Sequence, residues 1–367
     1  MRKDKSKLVV LTAGGTGGHV YPADALASEL EKRGYEPVLF TDSRGLKNYK
    51  GKLSEIGNRA ILSGSVVGKS PLTKVLSLAK VGLGVMQAAW YLLLQRPRCV
   101  VGFGGYASFP TAVAAILLRI PLILHEQNSV MSRTNRLLAR FALVVAQSFD
   151  NAKYTPAKVK TFLSGMPVRP AIAALYKEKY QAPKADEKMT VIVLGGSQGA
   201  SVFAETMPKA AKSLSPEEQK KTVIYQQCRK GEEEKVAALY EGFGGEVTVR
   251  AFFDNMPELY RQAKMIVSRA GASSVYEIAA VGLPAVLVPL PTAADNHQYF
   301  NALTLAEKKA CVLVEQADFS PEKVVEIWHD FRARPEYMQQ ISEAAKRAAI
   351  VDAASRLADR VETSNLE

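Results

Sequence analysis

Cysteine is scarce: Cys99, Cys228 and Cys311 stand far apart in a chain of 367 residues. No Cys-x-x-Cys pair and no Cys/His cluster exists, which excludes a disulfide framework and a structural zinc site and points to a reducing compartment. The first residues are polar and basic, and the apolar run at 8–11 is too short for a signal peptide. No stretch reaches the uninterrupted apolar length of a membrane span. No nucleic-acid-binding module signature is present, so nucleic acid is not expected as a partner.

What remains is an ordinary soluble composition, 47% apolar and 23% charged, in a chain long enough to predict two domains. Its charge is uneven. Residues 1–166 hold 23 Lys and Arg against 9 Asp and Glu, a net of +14; residues 167–367 hold 25 against 27, a net of −2. The basic half suggests an anionic partner, either a phospholipid surface or a phosphorylated substrate, rather than mere solubility.

The most informative stretch is 267–284. It reads as a buried strand, the small-residue turn Arg269-Ala270-Gly271-Ala272-Ser273-Ser274, and a helix carrying Glu277. Free amides at a helix start favour an anionic group, and Gly271 lets a ligand approach the backbone. Glu277 would repel a phosphate, so it suits hydrogen bonds from a neutral diol such as a ribose; the plain alternative is an exposed glutamate. The same device opens the chain: strand 8–13, the turn 14–18, His19, a helix starting near Pro22, and strand 36–41. Its glycine spacing matches neither a dinucleotide fingerprint nor a Walker loop. His19 lies at the positive end of a helix, which favours the neutral, proton-accepting imidazole; the alternative is a histidine that caps the turn.

Further strands are expected at 99–103, opening into Gly104-Gly105-Tyr106, and at 121–124, followed by His125-Glu126-Gln127-Asn128. Others fall at 143–146 and 160–163. Polar groups directly after a buried strand lie where open α/β sheets bind ligands. Residues 164–170 predict a hinge that carries Arg169. Beyond it, strand 189–194 leads into Gly195-Gly196-Ser197-Gln198, with more strands at 223–226, 246–251 and 285–289. The plan is two Rossmann-like doubly wound domains facing a cleft, 1–166 and 167–344, with a helix at 345–363 packing back on the first. Residues 69–98 are a long apolar stretch weakened as a helix by Gly82 and Gly84. Its first part, with Leu72, Val75, Leu76, Lys80 and Leu83, suits a membrane interface, whereas 88–94 suits the core.

Taken together, GGTGGH at 14–19, GFGGYAS at 102–108, HEQN at 125–128, TNR at 134–136, PVR at 167–169, GGSQGA at 195–200, RAGASSVYE at 269–277 and DNHQYFNA at 295–302 resemble the MurG family of bacterial cell-wall N-acetylglucosaminyltransferases. The likeness spans nearly the whole chain. It implies a GT-B fold and inverting transfer of GlcNAc from UDP-GlcNAc to the MurNAc 4-hydroxyl of lipid I, giving lipid II in peptidoglycan synthesis. It also implies a peripheral position on the cytoplasmic face of the cell membrane, with an anionic phospholipid surface and other cell-wall synthesis proteins as partners. On this likeness His19 is the first candidate for the catalytic base and Glu126 the second, the alternative for Glu126 being to bind or orient the acceptor. The donor residues are Thr16, Gly17, Gly18, Asn128, Arg169, Ser197, Gln198, Phe253, Ser273, Ser274, Glu277, His297 and Gln298. The acceptor residues are Gly14, Gly15, Gly104, Gly105, Tyr106 and Asn135. The chain departs from the family at Met166, where Asn usually precedes PVR, and at Met131-Ser132, where a glycine usually follows HEQN.

Sugar transferases often neutralise the departing diphosphate with a metal held by Asp-x-Asp, and this sequence has no such element. Helix amides and Arg169 can supply that positive potential, so neither a cofactor nor a metal is expected. A UDP-GlcNAc 2-epimerase-like enzyme and a non-catalytic nucleotide-sugar scaffold are the alternatives.

Overall fold

The computed structural model describes residues 6–364 apart from 15–16, 50, 65–70, 185 and 197–200; for 47, 48, 71, 72 and 74 only the backbone is described. The chain divides into two compact units, Met1–Arg169 with Ile350–Glu367, and Pro170–Ala349. The expected divisions after 166 and 344 thus move to 169 and 349. The second moves because the helix Pro335–Ala348 continues past 344 as one element and ends where Ala349 turns extended.

In the first unit β1 (Leu8–Thr12), β2 (Glu36–Thr41), β3 (Gly57–Ala60), β4 (Cys99–Gly102), β5 (Leu122–Glu126), β6 (Val144–Gln147) and β7 (Thr161–Leu163) form one sheet. Every pairing is parallel, in the order β3-β2-β1-β4-β5-β6-β7. β1 is apolar from Leu8 to Leu11 because both of its faces are covered, and its last residue, the buried Thr12, donates through Oγ1 to the Phe40 carbonyl at 2.9 Å. Val9 and Leu11 enter one core with Leu26 and Leu30, while Val10 enters the other with Phe40 and Leu92. The helix Ala353–Thr363 returns to the first of these cores through Leu357, Ala358 and Val361. Arg33 bonds Asp359 at 2.6 Å and Ser355 Oγ at 2.6 Å, and Arg98 donates to the Val361 carbonyl at 2.9 Å.

The apolar segment forms one unbroken helix, Pro71–Gln95. Gly84 does not weaken it: a Cβ there would lie 1.9 Å from the Leu62 carbonyl oxygen, so the glycine lets the helix seat closely on its neighbour. Among the described residues, Val75–Gln95 is long and apolar enough to cross a membrane by length and composition, contrary to expectation. It nonetheless covers the sheet, with Ala88 and Leu92 wholly buried. The expectation that 88–94 is core holds only for that inward face, since Trp90, Leu93 and Leu94 are exposed on the other.

The second unit pairs β8 (Met189–Leu194), β9 (Thr222–Gln227), β10 (Glu246–Arg250), β11 (Met265–Ser268), β12 (Ala285–Leu287) and β13 (Val312–Leu313) in the order β10-β9-β8-β11-β12-β13. These pairings are also parallel. Val191 and Val193 pack into a core with Phe203, Trp328 and Phe331. The three cysteines are free and buried, and burial pushes the Cys99 and Cys311 thiols up to about 12, which leaves them unreactive.

Leu357→Ala should remove about 3 kcal/mol from the first unit, the usual loss for a wholly buried leucine. Hydrogen-exchange mass spectrometry should show faster opening of 8–12 and 17–32 with 189–194 unchanged. Equal loss in both units would contradict the assignment of the last helix to the first unit.

Candidate active site

Strand order in the first sheet reverses between β1 and β4, and the turns after these two strands meet at its carboxyl edge. Gly14 and Gly105 allow this approach. A Cβ at Gly105 would stand 2.7 Å from the Gly14 carbonyl oxygen, and one at Gly14 would stand 2.3 Å from the Ala107 Cβ. Gly104 and Gly105 have φ of +82° and +79°, a region that side chains strain to adopt. The following helix begins at Gly17, not near Pro22, so Pro22 lies inside it and removes one helical hydrogen bond. Gly17, Gly18 and His19 therefore form its first turn. The His19 ring comes within 3.4 to 3.5 Å of where Cβ atoms at Gly104 and Gly105 would stand. Gly15 and Thr16 lie outside the described residues.

β5 runs two residues further than expected, so His125 and Glu126 are strand residues with no exposed surface. Glu126 Oε1 accepts from the Asn128 backbone N–H at 3.1 Å and its side-chain amide at 3.4 Å. Oε2 accepts from the Ser132 backbone at 2.9 Å and from Asn135 Nδ2 at 2.8 Å. Four donors around a buried carboxylate describe a loop organiser rather than the catalytic group expected. Asn135, expected to touch acceptor, is 1% exposed and also donates to the His125 carbonyl at 3.2 Å, so it belongs to the same internal network. The departure at Met131-Ser132 fits here. Met131 is a core residue, and Ser132 Oγ caps the helix Arg133–Leu138 by accepting from the Asn135 N–H. Met166 is likewise buried.

His125 is held neutral by burial, which lowers its pKa to about 4. Gln127, absent from the expected site residues, links it to His19. Its amide nitrogen is 2.7 Å from the Phe103 carbonyl and 3.1 Å from His125 Nδ1, and its oxygen is 3.2 Å from His19 Nδ1. Its place inside the HEQN motif was the one signal available.

Tyr106 donates to Asp42 Oδ2 at 2.8 Å and accepts from Arg44, whose guanidinium lies over its ring at 5.5 Å. Asp42 and Arg44 border a cavity of about 720 Å³ that also meets Leu62, Leu76 and Lys80. Beside it the helix Pro71–Gln95 exposes Val75, Leu76, Leu83 and Met86, the last at 70%. The Leu72 side chain lies outside the described residues. Arg169 closes this unit, its guanidinium 5.0 Å from the Tyr21 ring centre.

In the second unit the helix Ala272–Val281 follows β11, with Gly271 as its N-cap. Gly271 has an ordinary φ of −63°, and a Cβ there would meet nothing within 4 Å, so the fold itself does not require glycine at this position. Ser273 and Ser274 lie in the first helical turn. Glu277 is 7% exposed, not surface-exposed, and accepts from the Tyr260 hydroxyl at 3.3 Å. Phe253 is buried edge-on to Tyr225. Arg269 and Asn301 fix the turn internally: Arg269 donates to the Val288 and Pro289 carbonyls at 3.1 Å, and Asn301 to the Ala270 carbonyl at 3.1 Å. Gln298 accepts from the Leu290 N–H at 3.0 Å, and His297 donates through Nδ1 to the Ala294 carbonyl at 2.8 Å. Ser197 and Gln198 lie outside the described residues.

Two parallel sheets with glycine turns at the carboxyl ends of their central strands are the GT-B architecture of glycosyltransferases. The glycosyltransferase family 28 N-terminal domain matches residues 9–147 and the family's C-terminal domain matches 190–357. The chain belongs to glycosyltransferase family 28. It is 43% identical to the UDP-N-acetylglucosamine--N-acetylmuramyl-(pentapeptide) pyrophosphoryl-undecaprenol N-acetylglucosamine transferase of Rhodospirillum rubrum, over 96% of this chain and 91% of that one. It is 40% identical to the protein of the same name from Paramagnetospirillum magneticum, over 96% of each. Among solved structures, Acinetobacter baumannii MurG aligns with a TM-score of 0.78 at 29% identity, over 97% of this chain and 99% of that one. A UDP-GlcNAc 2-epimerase from Neisseria meningitidis aligns with a TM-score of 0.67 over 97% and 100%, but at 13% identity this likeness is one of fold alone.

The lowered pKa of His125 makes stability depend on pH. The unfolded histidine titrates near 6.5 and the folded one near 4, so between these values the unfolded chain binds a proton that the native chain does not. Stability is therefore intact above pH 6.5 and falls as the pH drops toward 4. Between pH 7 and pH 5 the loss from this group should be about 2 kcal/mol. Urea unfolding at the two pH values should show a correspondingly smaller loss in His125→Asn, and an equal loss would remove His125 as its source.

Proposed function

We propose that this protein transfers GlcNAc from UDP-GlcNAc to the MurNAc 4-hydroxyl of lipid I, with inversion at the anomeric carbon and without a metal ion, yielding lipid II. The observation that carries the chemistry is His19, held in the first turn of a helix against two apposed glycine turns at the switch point of its sheet. Full-length likeness to transferases bearing that substrate pair in their names supports the choice of substrates.

In this reading His19 removes the acceptor hydroxyl proton as it attacks the sugar. The bare backbone of Gly14, Gly104 and Gly105, with Tyr106 and Arg44 beside it, receives the acceptor pyrophosphate. In the second unit the Phe253 backbone meets the uracil, Glu277 accepts from the ribose, and the amides around Ser273 and Ser274 receive the diphosphate. His297 and Gln298 of the same unit hold the sugar. The transition state resembles an oxocarbenium ion while UDP gathers negative charge. Helix amides and Arg169 offset that charge, and the sequence offers no Asp-x-Asp seat for a cation. The basic first unit and the apolar outer face of Pro71–Gln95 support peripheral binding to the anionic cytoplasmic face of the membrane.

Purified protein incubated with labelled UDP-GlcNAc and a short-chain lipid I analogue, in EDTA, should place label on the acceptor. A label that appears only in UDP-ManNAc without acceptor would identify an epimerase, and no product at all would identify a scaffold. Activity lost in EDTA and restored by one divalent ion would overturn the metal-free chemistry alone. Separately, Leu83→Glu should weaken binding to anionic vesicles at least about tenfold by placing a charge in the apolar interface, with transfer to the short-chain acceptor retained. Unchanged vesicle binding would rule out this face as the membrane contact.

A further inference from the structure

The geometry points to Gln127 as a positioning residue that holds His19 in its Nδ1–H tautomer, so that Nε2 is the proton-accepting nitrogen. This deepens, and rests on, the reading of His19 as the base.

The chain of constraint starts at a main-chain carbonyl. The Phe103 carbonyl can only accept, and the Gln127 side-chain atom 2.7 Å from it must therefore be the amide nitrogen. A reversed amide would press two acceptor oxygens together. The second N–H of that nitrogen faces His125 Nδ1 at 3.1 Å, which makes Nδ1 an acceptor. His125 then carries its proton on Nε2, where the Gly165 carbonyl accepts at 3.2 Å and Ser148 Oγ stands at 3.3 Å. His125 is wholly buried and its pKa is lowered to about 4, so it stays neutral near pH 7 and keeps this arrangement.

With both donors directed this way, only the amide oxygen of Gln127 is left to face His19. It lies 3.2 Å from Nδ1, which must donate. Gln127 is 2% exposed, directly after β5, and its amide cannot turn without breaking both donor contacts. A backbone carbonyl and a buried neutral histidine thus dictate, through one amide, which nitrogen of His19 holds a lone pair. The serine-protease triad gives the scale of such control: a substitution there that leaves the wrong imidazole tautomer lowers turnover about 10⁴-fold.

The test uses the full-length protein labelled with ¹⁵N-histidine. Four histidines give few signals, and His19→Ala assigns those of His19. Two-bond ¹H–¹⁵N spectra near pH 7.5 should show wild-type His19 with its proton on Nδ1; a proton on Nε2 overturns the proposal without recourse to any variant. In Gln127→Met, which removes the amide and preserves the volume, His19 should shift toward the Nε2–H form. Turnover should fall about 10²-fold with the UDP-GlcNAc KM within about threefold. Persistence of the Nδ1–H tautomer in Gln127→Met overturns the positioning role. If the tautomer shifts as expected but His19→Ala keeps turnover within about tenfold of wild type, the role of His19 as base fails instead, a result read independently of the first.

Discussion

The first unit depends on how closely two strand-ending turns approach each other. No side chain fits between the Gly14 carbonyl and the alpha carbon of Gly105, so the turns after β1 and β4 meet backbone to backbone. That contact brings the first helical turn, with His19, over the carboxyl edge of the sheet. It also places His19 within reach of Gln127, which directly follows β5. A methyl group at either glycine would separate these elements.

Behind this contact lies a second constraint, that buried polar groups must be paired. Glu126 illustrates it. A carboxylate with no exposed surface persists because Asn128, Ser132 and Asn135 supply four donors, and the loop between β5 and the next helix takes its shape from meeting that demand. Gln127 and His125 obey the same rule with their donors and acceptors matched in one direction only. In the second unit Arg269 and Asn301 play a comparable part, fixing the Ala270–Gly271 turn from beneath. The edge available to ligand is thus a thin layer of backbone on a hydrogen-bonded polar foundation, in which the buried Asn135 Oδ1 is the exception to full pairing.

Charge and apolarity are divided along the chain in a way consistent with the family's chemistry. The excess of cations falls in the unit that carries His19, the 720 Å³ cavity and the helix Pro71–Gln95. That helix meets two requirements at once. Its inner face, through Ala88, Leu92 and the close seat at Gly84, completes a protein core, while its outer face leaves Val75, Leu83, Met86 and Trp90 uncovered. One amphipathic period cannot describe a helix that is apolar on both sides.

The sequence by itself determined the two-sheet α/β plan, because β1, β4, β5, β8 and β11 are short apolar runs that end in glycine or small polar turns. It also determined the family, because the motifs at those turns are local. It could not reveal β3, whose four residues are all exposed and carry no apolar pattern, nor the two-residue β13. Nor could it show that Glu126 and Asn135 face each other inside the protein, or that Gln127 stands between two histidines. Those facts depend on which residues distant in the chain arrive beside a given side chain, and so on whether a carboxylate or amide keeps its polar atoms for a ligand or pairs them within the fold. Tertiary structure alone decided that, since burial and hydrogen-bond pairing are properties of the assembled unit and not of any local run of residues.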